Sequence, residues 1–368
     1  MYCKAQDTAL IHYLINRISA QQVKSDDFFL SGIFPSYISK HESFNTKKKD
    51  NNIFFNGLIA YTLNDIKPKL DQESLQITDA ALNKSKPLFS KFKNIKGRNT
   101  YNFWRTDSVY DYPYSGMLKM FTKDISLPDD MDDTVLSLLA LDVADSTAEA
   151  VHALMQQFVN CDSNKVRSVI EDYNQLGAYS TWFGKKFPVV FDVSVLCNVL
   201  SFVQLHNLSW TKADSACLTV IVKTIEQNYH LGKAVYASPY YPKASLILYH
   251  VARLMSIKPI PQLESLKIKI LSDAAKELAL ATNAMEKVIL SSTILKLGYE
   301  PPPIAISINE IARQIEQNDF CFFVGNISSY FKDFSKAFAT ANEIGFFYHY
   351  CPAYNDALLL EYLVLRNE

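Results

Sequence analysis

The chain has 368 residues, 48% of them apolar and 20% charged, a composition that excludes a disordered or fibrous protein. Lys plus Arg is 37 against 38 acids, so no basic excess points to nucleic acid or an anionic membrane surface. Six dispersed cysteines without a CxxC spacing argue against a disulfide framework, and no stretch approaches the roughly 18 apolar residues of a spanning helix. The expected compartment is the cytoplasm. Peripheral contact with a membrane and self-association both stay open.

In chain order, apolar spacing predicts helices over 6–21, 52–65, 72–93, 131–143, 146–159 and 164–173. It continues with helices over 191–206, 211–229, 243–256, 262–281, 284–297, 307–317 and 353–366. Ser126 with Pro128, Ser146-Thr147 and Thr211 act as start signals. "NTKKKDNN" (45 to 52) reads as a solvated loop, "EPPPIAIS" (300 to 307) as a rigid connector and "FCFFVG" (320 to 325) as a weak, isolated strand. The irregular stretches 22–50, 94–128, 177–190 and 230–242 are rich in aromatics. About a dozen paired helices without a fixed repeat predict an all-α protein, a single α/α-toroid domain over residues 1–368.

"SLPDDMDDTVLSLLAL" (126 to 141) places Asp129, Asp130, Asp132 and Asp133 at the start of a helix. Val135, Leu136, Leu138, Leu139, Leu141 and Val143 cover all sides of that helix, so it is expected to be buried all round. Three readings of the acids stand side by side. Capping needs one or two of them, because each accepts backbone N–H bonds and offsets the helix dipole. Asp129, Asp130 and Asp133 also spell DDxxD, suited to Mg²⁺ and a diphosphate, with Asn164, Ser168 and Asp172 as a second motif. Finally, Asp130, Asp132 and Asp133 spell DxDD. Crowded carboxyls in a dry pocket cannot all ionise, and a retained proton can be delivered to an alkene or epoxide. Aromatic faces would stabilise the resulting cation by about 0.5–2 kcal/mol each.

"LPDDMDDTVLSLLAL" resembles the PDxDDT segment of squalene–hopene cyclases and related class II terpene cyclases, where DxDD and Thr also lead into an apolar inner helix. "GAYSTWFG" (177 to 184) is loosely similar to their aromatic-glycine segments. The resemblance covers about 15 residues at the motif level. It implies an α/α toroid, proton-initiated cyclisation of an isoprenoid or other polyene (an isomerase), Asp132 as the donor, and Asp130 and Asp133 as its supports. No cofactor is implied, and Mg²⁺ matters only for a diphosphate substrate. The chain departs from the family in lacking full QxxxGxW repeats and a second helical domain, and in carrying the extra Asp129.

Phe103 and Trp104 of "YNFW", Tyr179, Trp182 and Phe183 of "YSTWF", and Tyr240 are the candidate lining of a cavity for a hydrophobic small molecule. They equally suit the sealing of a helical layer. His152, His230 and His250 are candidate partners for the acid, and His349 with Cys351 is a weak zinc pair. Three alternatives remain: a carbohydrate-active α/α toroid, a Mg-dependent isoprenyl diphosphate enzyme and a non-catalytic binding protein. A closed aromatic chamber beside Asp132 would favour cyclisation. An open groove with polar groups would favour a glycan, and a shallow apolar face would favour a partner protein.

Overall fold

The computed structural model describes residues 2–108, 128–166, 168–184, 187–331 and 333–367. Residues 109–127 of the aromatic stretch 94–128, including the start signal at Ser126, lie outside these. The α-helices longer than four residues are α1 (Tyr2–Gln21), α2 (Phe54–Ile66), α3 (Gln72–Ser85), α4 (Met131–Leu141), α5 (Asp145–Met155) and α6 (Val193–Leu205). They continue with α7 (Lys212–Glu226), α8 (Ala244–Ile257), α9 (Lys267–Leu280), α10 (Ala284–Lys296), α11 (Asp333–Ala341) and α12 (Pro352–Arg366). No helix among the described residues is long and apolar enough to cross a membrane.

The chemistry at helix starts explains several boundaries. Thr211 and Asp214 form a reciprocal capping box at α7. Asp192 accepts the backbone N–H groups of Ser194 and Val195 to start α6, and Asn283 does the same for Met285 and Glu286 at α10. The expected helix 72–93 stops at Ser85 because Pro87 leads into a 3₁₀ turn, Lys86–Lys91. The expected helix 164–173 is absent apart from the turn Glu171–Tyr173. Over 307–317 the chain forms only a 3₁₀ turn and a short π-helix.

The expectation of an all-α chain needs correction. The protein is mostly helical but carries a small antiparallel sheet of β1 (Ser36–Ser39), β2 (Lys48–Asp50), β3 (Phe323–Asn326) and β4 (Phe346–Tyr350), in the order β2-β1-β4-β3. Tyr37 faces Tyr350, and Phe323 faces His349. Two strands hide in stretches without clean alternation. β2 falls in the Lys-rich run read as a loop, where Lys48 and Lys49 are exposed while Asp50, Asn51 and Asn52 are buried. β4 is aromatic or His at every position, so period two is invisible.

The core is organised around six helices. α2 packs on α4, α4 on α6, α6 on α8, α8 on α10, α10 on α12, and α12 on α2, so the contacts return to their start. These helices are buried nearly all round: Val193–Gln204 of α6 and Ala353–Val364 of α12 are buried without a break. α2 and α4 meet at Gly57, where a Cβ would sit 2.9 Å from the Leu136 Cβ. α1 covers α12, α7 covers α6, and α9 covers α10. The starts of the six helices converge. Ser245 of α8 bonds Glu286 of α10 at 3.1 Å, while Phe54, Tyr241 and Tyr354 gather around Phe322 and Phe323, just before and within β3.

Candidate active site

The four acids sit at the start of α4, and all are buried. Two extended segments hold the backbone there. Asp130 N donates to Tyr101 O at 3.2 Å, Met131 N to Thr181 O at 2.8 Å, and Phe183 N to Asp129 O at 2.9 Å. Thr134 supports the same junction, its hydroxyl accepting from Tyr101 N at 3.0 Å. Gly184 lets Pro128 approach, since a Cβ on it would lie 3.2 Å from the proline Cβ. The Pro, the Thr and the aromatic-glycine segment singled out in the sequence therefore meet at one place.

Each carboxyl has a separate role. Asp129 Oδ2 accepts from Asn94 Nδ2 and Thr100 Oγ1, both at 2.5 Å, and from Arg98 at 3.1 Å. It anchors the 94–100 turn. Asp130 is the cap, accepting from Asp133 N at 2.7 Å. Burial pushes its carboxyl up to about 7, and the negative charges of Asp132 and Asp129 add to this. Asp132 Oδ1 accepts from Asn198 Nδ2 at 2.7 Å, and its Oδ2 accepts from the Tyr241 hydroxyl. Burial raises it too, but both donors and the charge of Arg253 oppose the rise. The Asp133 carboxyl is hydrogen-bonded to that of Asp130, and its Oδ1 has no hydrogen-bond partner. Burial and all three neighbouring acids push it well above the usual carboxylate range. Two buried carboxyls in contact share a proton at neutral pH.

The histidines separate. His152 pairs with Asp214 at 3.0 Å and His230 with Asp273 at 3.1 Å. His250 stacks edge-on against Tyr241 with centroids 4.6 Å apart, and so lies one ring from Asp132. Its Nδ1 donates to Leu246 O at 2.7 Å, while Nε2 has no hydrogen-bond partner. Burial first, then the charge of Arg253, holds it neutral. His349 faces Asp50 at 3.3 Å rather than pairing with Cys351 around a metal.

The metal reading finds little support in the geometry. Asp129 already faces the Arg98 cation. Asn164, Ser168 and Asp172 share no helix face, because the described residues there form no α-helix, and Asp172 accepts from Tyr229 at 2.7 Å. Among the described residues, no group of three or more His, Cys, Asp or Glu is arranged to hold a metal ion.

Of the candidate lining residues, Phe103 stacks on Phe54 and Phe323, and Trp104 Nε1 donates to Asp50 at 3.0 Å. Trp182 Nε1 donates to the Tyr240 hydroxyl at 3.2 Å, Tyr240 N donates to Asp192 at 2.8 Å, and Phe183 packs on Phe158. Tyr179 lies apart, its hydroxyl donating to Asp214 at 2.9 Å between α5 and α7. Phe54, Phe322, Phe323 and His250 pack around Tyr241, with ring centroids 4.6–6.4 Å from it. A groove of about 620 Å³ opens where α6 and α8 end, lined by Gln204, Asn207, Trp210, Ser215, Lys258 and Gln262 among others. None of its lining residues belongs to the acid cluster, and none is acidic.

Sequence reasoning missed Asn198 and Arg253. The signal was present: Asn198 is an amide at the middle of a largely apolar helix, "VSVLCNVLSFVQL", and Arg253 is the one Lys, Arg, Asp or Glu in "SLILYHVARLMSI". No protein-family model, curated protein or solved structure matches the chain.

Proposed function

We propose that the six-helix circuit is the inner layer of a single-domain α/α toroid, and that the acid cluster protonates an isoprenoid or other hydrophobic polyene. This follows the resemblance to class II terpene cyclases, and it requires the aromatic rings packed around Tyr241 to part and admit the substrate to the acids. The observation that carries the reading is the Asp133 carboxyl, buried, paired with Asp130 and bearing an oxygen without a partner. The donor is Asp133 rather than Asp132, whose two oxygens already accept from Asn198 and Tyr241. The Asp133 O–H bond breaks as a C–H bond forms at the alkene terminus, and the cation closes onto internal double bonds. Loss of a proton from carbon ends the sequence, and water returns a proton to the carboxylate. The product is an isomer of the substrate.

The test is incubation with squalene, oxidosqualene and geranylgeranyl diphosphate, the last with Mg²⁺, with isomers detected by gas chromatography and mass spectrometry. Asp133→Asn should lower turnover about 100-fold or more. Absence of cyclic isomer from all three substrates, or equal turnover by Asp133→Asn, rejects the reading.

The groove favours a second reading, binding of a saccharide on the Trp210 ring with Gln204, Asn207 and Gln262 as hydroxyl partners. Without acids it would bind, not hydrolyse. Trp210→Ala should weaken any oligosaccharide affinity about tenfold or more by calorimetry, and no binding by the native chain rejects it.

A further inference from the structure

Asp132 terminates a line of polar side chains that crosses the interior of the protein. Asp65 of α2 bonds Lys296 of α10 at 2.8 Å, and Lys296 faces Glu361 of α12 at 3.0 Å. Tyr249 of α8 donates to Glu361 at 2.8 Å. Arg253, one turn on in α8, lies with its guanidinium carbon 5.2 Å from the Tyr249 ring centroid and 4.4 Å from that of Tyr61. Arg253 Nη2 donates to Asn198 Oδ1 at 2.6 Å, and Asn198 Nδ2 donates to Asp132 Oδ1 at 2.7 Å. Every helix of the circuit contributes a member, and the charges alternate: Asp65, Lys296, Glu361, Arg253, Asp132.

A guanidinium does not release its proton, and a buried charge without a counter-charge is costly. Glu361 is already matched by Lys296, and Lys296 also by Asp65. Arg253 is 2% exposed, is also under the charge of Glu361, and reaches Asp132 through Asn198. The amide is oriented by both ends at once, its oxygen toward the cation and its nitrogen toward the carboxylate. Around Asp132 stand Asp129, Asp130 and Asp133 of its own segment, Tyr241, Asp192 at the start of α6, and His250 and Arg253 of α8. Arg253 is the permanent cation in that set, since Arg98 serves Asp129.

We propose that Arg253, acting through Asn198, is a positioning residue that holds Asp132 as an anion, and that this fixed charge keeps the shared proton on the Asp130–Asp133 pair. The purpose of the arrangement rests on the acid chemistry proposed above. The charge states themselves exist without substrate and are measured without it.

The test follows the infrared C=O band of protonated carboxyls in the full chain from pH 5 to 9. Asp132→Asn assigns the contribution of Asp132. In an otherwise native chain, Asp132→Asn removes the fixed charge, so the band of the Asp130–Asp133 pair should shift its midpoint to lower pH, with no separate component of the band lost. In Arg253→Met, the Asp132 contribution should appear, with its midpoint at least one pH unit higher, a tenfold change in proton affinity. Arg253→Lys should restore the native midpoint in large part. Asn198→Ser keeps both charges and breaks the bridge, so it decides the matter if Arg253→Met does not fold. A merely structural Arg253 would lower stability and leave the midpoint in place. A separate component lost on Asp132→Asn while the midpoint of the remaining band stays in place, or an unchanged Asp132 midpoint in the folded Arg253→Met or Asn198→Ser variant, overturns the inference. Failure of every polyene to react would reject the proposed function and leave this charge assignment standing.

Discussion

Asp130 and Asp192 carry a consequence for stability that can be measured without knowing a substrate. Both are buried and pushed up to about 7 from an ordinary value of 3.8. A carboxyl raised on folding stabilises the folded chain fully below its unfolded value, near pH 4, and that contribution is lost as pH rises through about 7. The melting temperature should therefore fall between pH 5 and pH 8, by an amount reflecting a few kcal/mol. Asp130→Asn keeps the cap on α4, because Asn caps as well as Asp, and should flatten the slope in thermal melts. His230 and His250, held neutral by burial, act oppositely below about pH 6.5, so the informative quantity is the difference between variant and native slopes. At this scale the sequence announced the acid run and its crowding. It did not announce which carboxyl keeps the proton. Nor did it announce the partners of Asp132, Asn198 and Tyr241, which lie 66 and 109 positions away.

Helices that are apolar on every side were readable as inner elements, and α4 shows why the argument works. Met131 to Leu138 are all buried, so no polar face was available to lose. The same logic marks the exceptions within such helices. A charge surrounded by apolar neighbours on its own helix must find its partner on another, as Lys296 does with Asp65 and Glu361. Lys296→Met should cost about 3–5 kcal/mol in urea denaturation, since it strands Glu361 in the interior. What was not legible was short or irregular. The sheet depends on pairings between residues some 300 positions apart, such as Tyr37 with Tyr350, and a strand of four residues carries too few alternations to declare itself. The expected helix 164–173 failed because its polar residues find local partners, Ser168 Oγ accepting from Ile170 N at 3.0 Å.

On the scale of the whole molecule, α12 is the keystone between α10 and α2. A chain ending at Cys351 would leave the inner faces of both neighbours exposed. It should fail to give a cooperative melt and should bind a hydrophobic dye, whereas the intact chain should do neither. The pairs α4–α6, α6–α8, α8–α10 and α10–α12 join stretches about 40–70 positions apart, and loops of that size close at lower entropic cost than the one joining α2 to α12. The pairing of α2 with α12 spans most of the chain and must wait for loop closure. Until that closure the guanidinium, the ammonium and the carboxylates of the interior are free to stay hydrated. Solvent must leave this charged interior as α2 and α12 come together, so closing that pair carries the cost of desolvating the ions.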